Sequence, residues 1–274
     1  MHLREYSLPA GWFPRDKASV SRFLSEFNSN TGNSKAVIAP HAGWYYSGRI
    51  AARAVSALKS DAETVIVMGG HLPAATSPLF AMEDAVKTPL GAITIDKELR
   101  QFLFDKLDGE DDRYRDNTIE VLLPMVHYFF PDAMLLWLRL PAEIKSFDAG
   151  KVISEQAAKL NRKVNVLSST DLTHYGLNYG FSPRGTGQEA LHWMREVNDA
   201  NFIKAVEGGN SGKVLHCAER EHSSCSAGAV LGSMGFAEAE GLGNAKLLEY
   251  GTSADTEEVI PNSFVGYAAM AYSH

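Results

Sequence analysis

Three short apolar runs, each closed by a polar loop that carries a histidine, constrain this chain more than any other feature. Val37-Ile38-Ala39 ends at Pro40-His41, and Thr64-Val65-Ile66-Val67-Met68 ends at Gly69-Gly70-His71. The third, Val164 to Leu167, runs into Ser168-Ser169-Thr170-Asp171-Leu172-Thr173-His174. Runs so short and so uniformly apolar suit strands buried on both faces, as in a parallel sheet covered by helices. Pro40 lacks the N–H that would continue a ladder, and the glycines before His71 let the backbone come close to a neighbour. Ligands of open α/β sheets bind beyond the carboxyl ends of the strands. If the three strands are parallel, His41, His71 and the Asp171/His174 pair meet on one edge.

The rest of the chain supplies the helices. Spacing predicts helices over Asp16–Phe27, Ile50–Leu58, Lys97–Leu107 behind an Asp96 cap, Ile119–Tyr128, Phe147–Leu160, Gln188–Ala205, Ser211–Cys217 and Ser223–Phe236. Further strands are expected at Ala133–Leu140, Ala245–Tyr250 and Ser263–Tyr272, with a strand pair around Thr88-Pro89-Leu90-Gly91 and a polar loop from Asn28 to Ser34. The small residues Ala227, Gly228, Ala229 and Gly232 predict a helix packed closely on a sheet. No repeat or long linker divides the 274 residues, so the expected fold is one α/β domain, 1–274: an αβα sandwich around a mixed, mostly parallel sheet.

Composition narrows the partners. A net charge of -7 with no basic stripe argues against nucleic acid and anionic membranes. No segment is long and apolar enough to span a membrane, the start lacks the apolar core of a signal peptide, and the expected location is cytoplasmic. The two cysteines, Cys217 and Cys225, read as free thiols or a ligand of a reducing compartment. No Walker-type loop, dinucleotide fingerprint or nucleophile elbow is present.

Three imidazoles at strand ends are the usual makings of a first-row metal site, and Cys225 adds a thiolate at the start of a helix. Each residue also has a plainer reading. Cys225 could be a small buried side chain, Asp171 a cap with His174 merely exposed, and Glu120 the N3 partner of Asn117 in a capping box. His216-Cys217 and His222 to Cys225 cluster locally, but their spacing is poor for structural zinc. Trp44, Tyr45 and Tyr46 either flank an aromatic pocket or simply pack.

Taken together the motifs resemble the Memo family, whose bacterial and archaeal members take their name from the AmmeMemoRadiSam system (protein B). The matching stretches are Ala10-Gly11-Trp12-Phe13-Pro14, Pro40-His41-Ala42-Gly43 with Tyr46-Ser47-Gly48, Gly69-Gly70-His71, Ile119-Glu120, Ser169-Thr170-Asp171-Leu172-Thr173-His174-Tyr175-Gly176 and Tyr250-Gly251-Thr252-Ser253. The resemblance implies the fold of LigB-type (class III) extradiol dioxygenases. It also implies a divalent transition metal, iron or copper with zinc open, on His41, His71 and Cys225. His174 falls on the acid/base position of the dioxygenases, and Asp171 and Glu120 on further positions of the cleft. The chain departs from the family at Asn117, where a histidine is usual, and at Cys225-Ser226-Ala227, where Cys-Gly-Arg is usual. The function so implied is a metal-dependent oxidoreductase acting on a small aromatic or peptide ligand. A non-catalytic peptide- or protein-binding module on the same cleft and a zinc-dependent hydrolase stay open, as does homo-oligomerisation.

Overall fold

The structure, a computed structural model, describes residues 2–27 and 32–273; the Asn28–Thr31 part of the expected polar loop lies outside them. Its strands are β1 (Leu3–Arg4), β2 (Ala36–Ala39), β3 (Thr64–Leu72), β4 (Leu79–Phe80), β5 (Ala85–Thr88), β6 (Gly91–Thr94), β7 (Glu110–Asp111), β8 (Met134–Pro141), β9 (Val164–Ser169), β10 (His174–Gly176), β11 (Lys246–Thr252) and β12 (Ser263–Tyr272). The α-helices are α1 (Lys17–Leu24), α2 (Trp44–Val55), α3 (Lys97–Lys106), α4 (Asn117–Glu120), α5 (Leu123–Phe129), α6 (Lys145–Lys159), α7 (Gln188–Trp193), α8 (Ala200–Glu207), α9 (Ser211–Glu221) and α10 (Ala227–Ala239).

Among the described residues the main sheet has nine strands in the order β10-β12-β2-β9-β3-β8-β4-β7, with β11 also pairing β12. Its centre, β2-β9-β3-β8, is parallel throughout. The antiparallel pairings, β12 with β2, β10 and β11 and β4 with β8, lie outside it. The three histidine-bearing runs are thus adjacent or nearly so, and all their carboxyl ends open on one edge. A smaller sheet, β1-β5-β6, includes the expected hairpin around Thr88–Gly91.

Strand alternation sorts the core into two layers, because successive side chains leave a strand on opposite faces. Val37, Val65, Val67, Leu135, Trp137 and Leu167 pack with α1, α2 and α5 on one face. Ile38, Ile66, Met68, Leu136, Leu138 and Val166 pack with α3, α6, α8, α9 and α10 on the other. The result is the αβα sandwich the sequence predicts.

α10 is apolar around its whole circumference, and that pattern marks a fully buried helix. Its glycines allow the approach: a Cβ on Gly235 would run into the Phe147 carbonyl of α6, and one on Gly228 into the Leu140 and Pro141 carbonyls of β8. In return, Gly150 of α6 faces the Gly232 carbonyl.

Element boundaries shift where side chains compete for backbone groups. α2 starts six residues ahead of the expected Ile50, because the Trp44 amide bonds the Trp12 carbonyl and the turn closes on Gly43. α10 starts at Ala227 rather than Ser223. Thr170 Oγ1 accepts the Ser226 amide and bonds Ser224 Oγ, and this holds the preceding residues out of helix. The run from Gln188 contains a π-helical turn, Met194–Asp199, between α7 and α8. α4 is capped by Asp116, which accepts the Thr118 amide, and not by Asn117, so the capping box expected of Asn117 and Glu120 does not form.

Gly235→Ala forces a methyl group into an immovable carbonyl. It is expected to lower the unfolding free energy by about 1–3 kcal/mol, or roughly 2–4 °C in Tm per kcal/mol. Gly212→Ala in α9, whose Cβ would find ordinary space, is expected to leave Tm unchanged or slightly raised in the same thermal melts.

Candidate metal centre

His41 follows β2 and is almost fully buried. Its amide donates to Asp171 Oδ1 at 2.7 Å, and its Nδ1 meets Ser169 Oγ at 2.6 Å. With one ring nitrogen engaged, the other, Nε2, faces Cys225 Sγ at 3.2 Å and lies 3.9 Å from Asp171 Oδ2.

His71 arrives by a different route. β3 carries one residue more than its partner here: Gly69 faces Arg139 and Leu72 faces Pro141, so Gly70 and His71 together oppose Leu140. His71 takes the extra turn in the left-handed region, at φ 56°, an excursion histidine tolerates better than most residues. The glycines before it are required, since a Cβ on Gly69 would strike Thr118 and one on Gly70 would strike Ser226. His71 Nδ1 is 3.0 Å from Asp116 Oδ2, which leaves the other ring nitrogen to Cys225. The two imidazoles stand edge to face with centroids 5.1 Å apart.

Cys225 completes the group from the turn before α10, its amide bonded to the Asp171 carbonyl. One ligand atom from each of His41, His71 and Cys225 lies within 4.8 Å of the others, the one such group of three among the described residues. A tetrahedral ion with ordinary Zn–N and Zn–S bonds holds its donors roughly 3.3–3.6 Å apart, so small rotations close the set. Each imidazole presents Nε2 while a hydroxyl or a carboxylate holds Nδ1, the arrangement by which proteins orient metal-ligating histidines. The donor set therefore fits a transition-metal ion.

Charges in the centre reinforce one another. Burial alone would push the Cys225 thiol up, but the His41 and His71 imidazoles hold it well below its usual range. Burial works against a charged His71 ring too, yet the Asp116 carboxylate and the Cys225 sulfur push it up to about 10. Asp116, despite its burial, falls to about 2 because His71, Arg139 and Thr118 all favour the carboxylate. Burial raises the Asp171 carboxyl, against the pull of His41, Cys225 acting with burial. Behind His71 runs a buried chain: Arg139 bonds the Gly70 carbonyl and pairs with both Asp116 and Asp112, and Asp112 accepts the Trp137 indole N–H.

The remaining expected residues fall around this core. His174 opens β10 and, with Asp171, lines a cleft of about 640 Å³; its ring packs on Tyr179 at 5.0 Å. The hydrogen bond Asp171 receives through its carboxylate comes from His41, and His174 acts on it through charge. His174, Tyr179 and Cys225 also line a second cavity of about 270 Å³. Glu120 is buried, and its carboxylate accepts the Ser7 and Leu8 amides and the Ser7 hydroxyl, fastening the N-terminal arm whose Trp12 walls the cleft. Asn117 donates to the His41 carbonyl. Cys217 is a free thiol in the core, pushed up to about 11 by burial, and no disulfide joins it to Cys225.

Asp116, Ser169 and Arg139 set the site without having been singled out in the sequence. Arg139 carried a signal, a lone cation inside an apolar strand. Asp116 carried none, because its pairing with His71 spans 45 positions. Asp199, on the π-helical turn, was equally silent. It accepts the Thr173 amide and hydroxyl and the Tyr250 hydroxyl, and so pins the loop between Asp171 and His174.

The whole chain was compared with known proteins. The family model described as Memo-like protein matches residues 4–271. A MEMO1 family protein of Pyrococcus abyssi is 30% identical over 97% of this chain and 98% of its own length. A second, of Thermococcus onnurineus, is 28% identical over 98% and 99%. A third, of Methanosarcina barkeri, is 30% identical over 85% and 84%. A solved structure, an uncharacterized Escherichia coli K12 protein, aligns with TM-score 0.44 and 11% identity over 85% of this chain and 98% of its own; a likeness so distant carries no weight. Among the described residues no helix is long and apolar enough to cross a membrane.

In metal-free protein, alkylation of Cys225 by iodoacetamide is expected to hold its rate from pH 8 down to pH 6, where an ordinary thiol slows about tenfold per unit. Cys217 stays unlabelled, and one equivalent of zinc or copper protects Cys225; peptide mapping by mass spectrometry reads all three. A second expectation concerns Asp199, which burial raises to about 6. The folded state then favours the protonated acid, so its contribution is full below pH 4 and lost as pH rises through 6. Relative to Asp199→Asn, the urea-unfolding free energy of the unaltered protein should fall by on the order of 2–3 kcal/mol between pH 4 and pH 7.

Proposed function

The chain belongs to the Memo-like protein family, and on that premise we propose that it is a metal-dependent oxidoreductase whose ion sits on His41, His71 and Cys225. One observation carries the reading: two imidazoles, each fixed through Nδ1 by Ser169 or Asp116, turn Nε2 toward a single thiolate. Nothing in a purely structural histidine pair calls for that convergence.

Thiolate and imidazole donors suit copper and zinc well and iron less commonly. We assign copper first, iron second, with zinc as the redox-silent case. Bound there, copper or iron would supply one-electron chemistry to an aromatic ligand or to oxygen, the kind of reaction the likeness to extradiol dioxygenases implies.

The chain's own groups supply the rest. The cleft holds the substrate against Trp12, Tyr46 and Tyr179. His174, on the cleft wall, takes or returns the substrate's proton, and a histidine is suited to that near neutral pH. Asp171, buried beside His41, accepts the His41 amide and faces its ring, and so helps to position that ligand. Glu120 is a positioning residue: it holds Ser7 and Leu8 and with them the arm that forms one side of the cleft.

Elemental analysis of protein purified without oxygen is expected to find near-stoichiometric copper or iron, lost in His41→Ala and His71→Ala. Asp116→Asn, which removes the carboxylate on His71 Nδ1 together with its ion pair to Arg139, should weaken metal affinity by roughly 10–100-fold. Metal retained in full by the double alanine variant would defeat the reading. Zinc alone would turn the reading to hydrolysis, and no metal at all would favour a peptide-binding cleft.

A further inference from the structure

The cleft beside the centre is walled by Trp12, Tyr46, Tyr179 and Tyr267 and carries two carboxylates, Asp171 at its base and Glu257 near its mouth. Among the described residues no lysine or arginine lines it, and the one basic group on its wall is the imidazole of His174. Glu257 is exposed, and among the described residues its carboxylate has no ion-pair partner. Tyr46 and Tyr179 are nearly half exposed into the same space. Tyr46, Tyr179, Tyr267 and Asp171 all line this one volume.

Electron-rich ring faces and carboxylates attract cations, and rings also stack on rings. A cavity of about 640 Å³ has the size of a small-molecule site.

We propose that this cleft takes a small aromatic ligand bearing an ammonium group, and rejects the same ring bearing a carboxylate. The inference rests on the cleft being the substrate side of the metal centre. The ring is received by the aromatic walls, and the ammonium group by Glu257 and the tyrosine faces.

The test is calorimetric titration at pH 7.5 with three probes of matched shape: phenethylamine, 2-phenylethanol and 3-phenylpropanoate. The amine should bind at least tenfold more tightly than the alcohol, and the acid more weakly than either. Glu257→Gln should reduce the amine-to-alcohol ratio at least threefold while leaving the alcohol's affinity unchanged. Tyr46→Leu should reduce the ratio as well, and Tyr46→Phe should restore it. Equal binding of all three probes, tighter binding of the acid, no binding at all, or a ratio unmoved in both variants would overturn the proposal. Metal content is measured on the same samples. An amine preference in protein that takes up no metal would leave this inference standing and sink the metal reading; loaded protein without the preference would do the reverse.

Discussion

Parallel pairing of β2, β9, β3 and β8 is the constraint on which everything else rests. Strands that run the same way release their chains on the same side, so the loops after Ala39, Gly70 and Ser169 meet although they are far apart in sequence. The parallel centre also demands cover on both faces, and that demand sets the two helical layers. α10 joins the two requirements. Its glycines let it lie close against α6 and the sheet, and the turn ahead of it carries Cys225 to the strand ends. A looser helix would leave the thiol short of the histidines.

Around the centre, charge is organised in shells. The inner shell is a thiol held toward thiolate by two imidazoles, and the outer one is Asp116, Arg139 and Asp112, buried and mutually paired. Buried charges of this kind are poor sources of stability compared with an apolar core, because desolvation offsets much of their attraction. What they do provide is orientation. Arg139 grips the Gly70 carbonyl with Nε and Asp116 with Nη2, so the backbone that carries His71 and the carboxylate that aims it are tied to one rigid fork. On the far side, Asp199 fixes the loop between Asp171 and His174 from a π-helical turn, a distortion often found where a helix serves a site.

The architecture was largely legible in the sequence, because buried strands and amphipathic helices declare themselves locally. His41 and His71 gather as their strand-end positions imply and Cys225 joins them as the family resemblance implies, whereas His174, the third strand-end imidazole, lies outside the group. Other features were hidden for identifiable reasons. The first turn of α2 depends on a bond to Trp12, and the late start of α10 on Thr170, both distant in sequence. The Asn117–Glu120 spacing satisfies the capping rule, yet Asp116 takes the cap and Glu120 turns to Ser7 and Leu8. Spacing alone cannot tell whether Asp116 or Asn117 takes the cap, or that Glu120 faces an arm more than a hundred residues away.

The bulge in β3 has a bearing on how such a site can change. Side chains up to Met68 alternate between the two helical layers, and a single additional residue then releases the chain from that alternation. Everything before Gly69 answers to the core, and His71 answers to the candidate metal centre. One inserted position thus separates two kinds of selection within a single strand. The core can drift in its apolar residues without moving the ligand, and the strand's end can acquire or exchange a ligand without shifting the register of the sheet. Chemistry at this edge can be revised one residue at a time, on a scaffold that need not be rebuilt.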